Sequence, residues 1–141
     1  MTAEIRDVPP EKTALLVMVH GSPRPESNRD MFAVVERVRE RQVFGVVEVG
    51  FMELNEPAIP AAIDRCVAAG VLRLIAVPYF LHAGTHVADD LPGLLEAAAA
   101  RFPHVEFLMG DYLGHDSHIA QIIAERARDA EIGEVPPSKV L

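Results

Sequence analysis

At 141 residues the chain fits one domain, long enough to bury roughly 70% of the surface it would expose unfolded. Half of it is apolar and 24% is charged, as in ordinary globular proteins. Its 13 Lys and Arg against 21 Asp and Glu leave a net charge of −8, which argues against nucleic acid or an anionic membrane surface as the partner.

Residues 1–12 (MTAEIRDVPPEK) are polar, carry Pro9-Pro10 and lack the apolar segment of a leader peptide; they are expected to form a flexible arm. TALLVMV, from Thr13, is a continuous apolar run of strand type. Helical spacing of Met31, Phe32, Val35 and Val38 predicts a helix over 29–42. A second strand is expected at 46–52 (VVEVGFM). A helix over 57–69 follows, with Ile59, Ile63, Cys66 and Val67 on one face. A third strand is expected at 71–77 (VLRLIAV). The next helix, over 91–101, carries Pro92 at its start, a position that tolerates a missing N–H. A fourth strand is expected at 105–109. The last helix spans 117–129, with Ile119, Ile122, Ile123 and Ala127 in register and Asp116 or Ser117 as its N-cap. Residues 131–141 (EIGEVPPSKVL) are expected to be a flexible tail, leaving one domain over 13–130.

This is βα repeated four times. Strands that are solid apolar runs suggest a parallel sheet covered on both faces. The expected fold is a three-layer, doubly wound, mainly parallel four-stranded sheet of flavodoxin-like type. Cys66 falls on an apolar helix face and is assigned to the core; as the single cysteine it excludes an internal disulfide and a thiolate zinc site. No apolar stretch approaches the ~20 residues of a membrane helix. The expected location is the cytoplasm.

Open α/β sheets bind ligands beyond the carboxyl ends of their strands. Five of the six histidines follow the expected strand ends: His20, His82, His86, His115 and His118. His20 ends the first strand and can act as metal ligand or proton carrier. His82 and His86 are four apart, but Gly84 between them places them in a loop; His86, nearest the helix start, is the stronger candidate and His82 a supporting one. Glu53 follows the second strand, with Glu56 as its neighbouring competitor. A His-His-Glu set suits divalent cobalt, iron, nickel or zinc. HGSP is not the GxSxG of a serine hydrolase, and no GxGxxG or GxxxxGK[ST] loop for a nucleotide occurs. Asp89 and Asp90 suit an ordinary helix start.

Four stretches, VMVHGSPRP, GFMELNEPAIPAAI, VPYFLHAGTHVADDLP and YLGHDSHIA, resemble in this order the class II chelatases, most closely the short form of the sirohydrochlorin cobaltochelatase and ferrochelatase family. The resemblance covers residues 13–129 and is most specific in the third stretch. It implies ATP-independent insertion of Co2+ or Fe2+ into sirohydrochlorin, a tetrapyrrole, in cobalamin or sirohaem biosynthesis. It implies no cofactor beyond the substrate ion (Co2+, Fe2+ or Ni2+), and a homodimer. The metal-contacting and catalytic residues it implies are His20, His86 and Glu53. Where relatives read HGSR, this chain has Pro23, with Arg24 one position later. Ser22, Arg24, Leu54, Tyr79, Phe80, Leu81, His82, Thr85, Tyr112 and His115 are the expected substrate-binding residues. Arg24 and Arg29 are the side chains suited to the substrate's carboxylates, and Leu113 is near enough to join the lining. The alternative function is a non-catalytic carrier that binds or delivers a divalent metal through the same histidines.

Overall fold

A computed structural model describes residues 7–134, with His86 described in its backbone only. The chain runs β1 (Thr13–Val19), α1 (Arg29–Glu40), β2 (Val46–Phe51), α2 (Ile59–Ala68), β3 (Arg73–Pro78), α3 (Leu91–Arg101), β4 (Glu106–Met109) and α4 (Ser117–Glu131). The strands form one four-stranded parallel sheet in the order β2-β1-β3-β4. The α/β class and four βα units are those expected. Boundaries moved by one or two residues: β3 starts at Arg73 because Val71 and Leu72 still belong to the turn out of α2, where Leu72 N–H bonds Lys12 O at 2.8 Å.

Both faces of β1 are buried, which is why it carries no polar residue after Thr13. On one face Leu16, Met18, Leu74 and Ala76 pack under α2 and α3 through Ile59, Ile63, Cys66, Leu91 and Leu95. On the other, Leu15, Val17, Val47 and Val49 pack under α1 through Met31 and Val35. The crossovers explain this split. The step from β1 to β2 goes one way and the steps to β3 and β4 go the other, so right-handed connections put α1 opposite α2 and α3.

The α1 layer is half filled. Strand β3 alternates: Leu74, Ala76 and Pro78 are buried under α2 and α3, whereas Arg73, Ile75 and Val77 on the α1 face are only half covered. Leu108 of β4 is exposed. Helix α4 makes no extended contact with any other element and has no buried residue.

Of the expected arm, residues 1–6 lie outside the described residues. Pro10–Lys12 form a single 3-10 turn fixed by Gly45 N–H to Pro10 O at 2.9 Å. Of the expected tail, 135–141 lie outside the described residues.

Candidate functional site

β1 and β3 are neighbours, yet the chain leaves them in opposite directions, through α1 toward β2 and through α3 toward β4. This is the topological switch point of the sheet, the place beyond the strand ends where open α/β sheets bind ligands. His20 follows β1 there, and the segment from Tyr79 to His86 follows β3.

The β1–β2 ladder continues past both strands, with Met52 N–H to Val19 O at 2.8 Å and Glu53 N–H to His20 O at 3.1 Å. That pairing sets Glu53 beside His20, and His20 Nε2 stands 3.0 Å from Glu53 Oε1. The two side chains are 45% and 57% exposed, so an ion in solvent can reach both. His20 Nδ1 lies 3.2 Å from the Gly21 carbonyl. A neutral imidazole that donates Nδ1–H to this carbonyl presents the Nε2 lone pair beside a carboxylate, a pairing suited to a divalent cation.

Backbone geometry holds the pair. Gly21 has φ +103°, and a Cβ there would lie 1.9 Å from Glu53 O, so the two loops touch only because residue 21 lacks a side chain. Asn55 Oδ1 accepts from Ser22 N–H at 2.7 Å and from Asn28 Nδ2 at 3.2 Å, tying the loop after β1, the loop after β2 and the start of α1. Asn28 is buried and Leu54 has φ +70°. Sequence reasoning assigned no role to Asn28 or Asn55. The available signal was an Asn two residues past Glu53, where short amide side chains bond to nearby backbone.

Past β3, Tyr79 and Phe80 point to opposite faces, as the period of an extended chain requires. Tyr79 packs on the α1-side cluster, and burial followed by the charge of Asp30 raises its phenol above the ordinary value. Phe80 packs on the α2–α3 side. Leu81, His82 and Thr85 are exposed. A wide helical turn, His86–Asp90, leads directly into α3, which starts at Leu91 as expected; the turn puts His86 in helical backbone and not in the expected loop. The His86 side chain lies outside what is described.

Past β4, Leu113 N–H bonds Phe80 O at 3.0 Å. His115 Nε2 is 2.8 Å from Asp111 Oδ2, and its ring lies 5.2 Å from that of Tyr112. Asp116 caps α4 by accepting from His118 N–H at 2.8 Å; that bond and the His118 side chain hold its carboxyl below the ordinary value. An open hollow of about 620 Å3 is lined by Tyr112, His115, Asp116 and His118 among others. His20 and Glu53 do not line it. Ser22 Oγ accepts from Arg24 N–H at 3.2 Å, and Arg24, Arg29 and Leu54 are exposed. The structure thus brings His20 to Glu53 and Phe80 to Leu113, and it separates Tyr79 from Phe80. Among the described residues no three His, Cys, Asp or Glu form a group able to hold a metal ion.

A family model described as CbiX matches residues 14–130. The sirohydrochlorin cobaltochelatase of Methanococcus aeolicus is 32% identical over 82% of this chain and 97% of its own length. The sirohydrochlorin ferrochelatase of Priestia megaterium is 31% identical over 91% of this chain but only 48% of its own length. Among solved structures, the sirohydrochlorin chelatase SirB from Bacillus subtilis subspecies spizizenii in complex with cobalt superposes with a TM-score of 0.79 at 29% identity, over 84% of this chain and 50% of that one. The chain therefore spans nearly all of the first relative and about half of the other two.

Proposed function

The chain belongs to the CbiX family, and on that premise we propose that it is a chelatase that inserts Co2+ or Fe2+ into sirohydrochlorin without ATP. The observation that most supports this is the His20–Glu53 pair, held 3.0 Å apart at the switch point of the sheet. His86 opens the helical turn beyond the adjacent strand and is the third proposed ligand.

The reaction exchanges water on M2+ for ring nitrogens and releases two pyrrole protons. His20 Nε2 and Glu53 hold the arriving ion on one side, leaving the other side for the macrocycle. A sparse N/O set binds hard enough to strip water and loosely enough to let the ion go; a closed four-ligand cage would retain it. Glu53 or a histidine released from the ion can then accept a ring proton within hydrogen-bond reach. The exposed apolar side chains Leu54 and Leu81 suit the flat ring faces. Arg24 and Arg29 suit the substrate's carboxylates. The proposed working form is a cytoplasmic homodimer.

The test is metal insertion followed by absorbance, with sirohydrochlorin and Co2+ or Fe2+. His20→Ala and His86→Ala are each expected to lose about 10²–10⁴-fold in rate with the fold retained by circular dichroism. Wild-type rates in both would refute these roles. Tight ion binding by the wild type with no insertion would make the protein a carrier.

A further inference from the structure

Two histidines beyond β4 are built alike, and the proposed insertion step uses neither. His115 Nε2 stands 2.8 Å from Asp111 Oδ2, and His118 Nδ1 stands 2.6 Å from Asp116 Oδ1. An ionised carboxylate only accepts, so the ring nitrogen beside it carries the proton. The other nitrogen, His115 Nδ1 or His118 Nε2, then presents a lone pair when the ring is neutral. This pairing with a carboxylate is how metal-ligating histidines are usually oriented and made more basic. The two imidazoles are 66% and 84% exposed, open to an ion in solvent.

Both rings are also fixed in place, and both line the hollow of about 620 Å3. His115 stands edge-on to Tyr112, with ring centres 5.2 Å apart. His118 is held twice by one atom, since Asp116 Oδ1 also accepts its backbone N–H at 2.8 Å. Charge decides what the hollow can take. Among the described residues Asp111 and Asp116 line it and no Lys or Arg does. An anion there would meet two carboxylates and no fixed cation; a cation meets two lone pairs backed by two carboxylates. The positive end of the α4 dipole is already answered by Asp116. Hydrogen bonds from the His118 backbone and ring, and in lesser part the charges of His118 and His115, hold the Asp116 carboxyl below its ordinary value, so it stays ionised.

An ion here is not the one beside His20. His20 and Glu53 follow β1 and β2, the hollow follows β4, and β3 lies between. Two strand spacings separate β1 from β4, about 10 Å. No three described His, Cys, Asp or Glu residues form a metal-holding group, because each aspartate here is turned to its own imidazole. Two ring nitrogens with water in the remaining positions make a weak, exchanging site. Imidazole donors favour cobalt, nickel or zinc over magnesium.

We propose that His115 Nδ1 and His118 Nε2 form a second divalent-ion site, completed by water, where an ion is held beside the insertion site. The binding stands by itself; only the use of the held ion as a supply for insertion rests on the chelatase reading.

The test is calorimetric titration of the full chain with Co2+, in the wild type and in a His20→Ala, His86→Ala variant that lacks the proposed insertion ligands. One Co2+ per chain is expected to remain in that variant, undisturbed by Mg2+, and to vanish when His115→Ala and His118→Ala are added. The α4 cap survives His118→Ala, because Asp116 can still accept the backbone N–H. Asp111→Asn in the His20→Ala, His86→Ala background should weaken the remaining Co2+ binding about 10–100-fold. In the wild type, imidazole 15N spectra with Zn2+ should shift at His115 Nδ1 and His118 Nε2. No binding after loss of His20 and His86 overturns the site. So does binding that persists after loss of all four histidines, an unchanged affinity in Asp111→Asn, or 15N shifts at neither predicted nitrogen. None of these readouts uses metal insertion, so a failure here leaves the chelatase assignment standing, and failed insertion leaves this site standing.

Discussion

His20 and Glu53 meet because two unremarkable residues, Gly21 and Asn55, permit it. Gly21→Ala places a Cβ 1.9 Å from Glu53 O on a left-handed backbone. The conformation alone costs about 1–3 kcal/mol, and the loops must part to relieve the clash. The expected result is a lowered urea midpoint with metal insertion lost together. Asn55→Ala leaves Ser22 N–H and the buried Asn28 amide without their acceptor, at a cost of about 1–3 kcal/mol. Asn55→Asp keeps the acceptor atom and should recover most of that stability in the same titration; equal loss in both variants would remove Asn55 from this role. Cys66 behaves differently: burial, and secondarily the charge of Glu48, pushes its thiol up to about 12 from 9.0. The thiol is neutral in the fold at any ordinary pH, so a thiol reagent at pH 8 should label it only as fast as the protein unfolds. The sign for stability follows. The contribution is complete below pH 9.0 and is lost as pH rises toward 12, because the unfolded chain releases the proton first. Cys66→Ala should therefore show a weaker fall of stability with pH above 9.0 than the wild type does.

Among the elements, β1 and α2 were legible because their apolar residues are buried by neighbours that any chain of this pattern must supply. Ile63 is wholly buried between sheet and helix, and Ile63→Ala should cost about 2–5 kcal/mol by denaturation, reflecting lost burial and a residual cavity. The starts of α1, α3 and α4 at Arg29, Leu91 and Ser117 were legible, the last capped by Asp116. The wide turn His86–Asp90 before α3 was not, because so short a segment carries too little apolar periodicity to mark it. Helix α1 ends with Gln42 at φ +54°, in a position glycine normally takes. Gln42→Gly should raise stability by up to about 1 kcal/mol. A lower midpoint would mean that the Gln42 side chain contributes something its exposure does not suggest.

At the scale of the molecule, the sheet order decides what the site contains and what it lacks. Order β2-β1-β3-β4 makes β1 and β3 adjacent with diverging connections, which sets the tips of those strands at the place where open α/β sheets bind ligands. The same order leaves the α1 layer with one helix, and among the described residues α4 makes no extended contact with that face. The sequence by itself determined the α/β class, the four βα units and the gathering of five histidines on one edge, because hydrophobic period and strand-end position are local properties of the chain. Tertiary structure alone decided three things: that His20 faces Glu53, that Tyr79 and Phe80 part to opposite faces, and that α4 leaves its own sheet uncovered. Each depends on register between segments far apart in the chain, or on the direction in which a loop releases a helix, and neither quantity is written in any one stretch of residues.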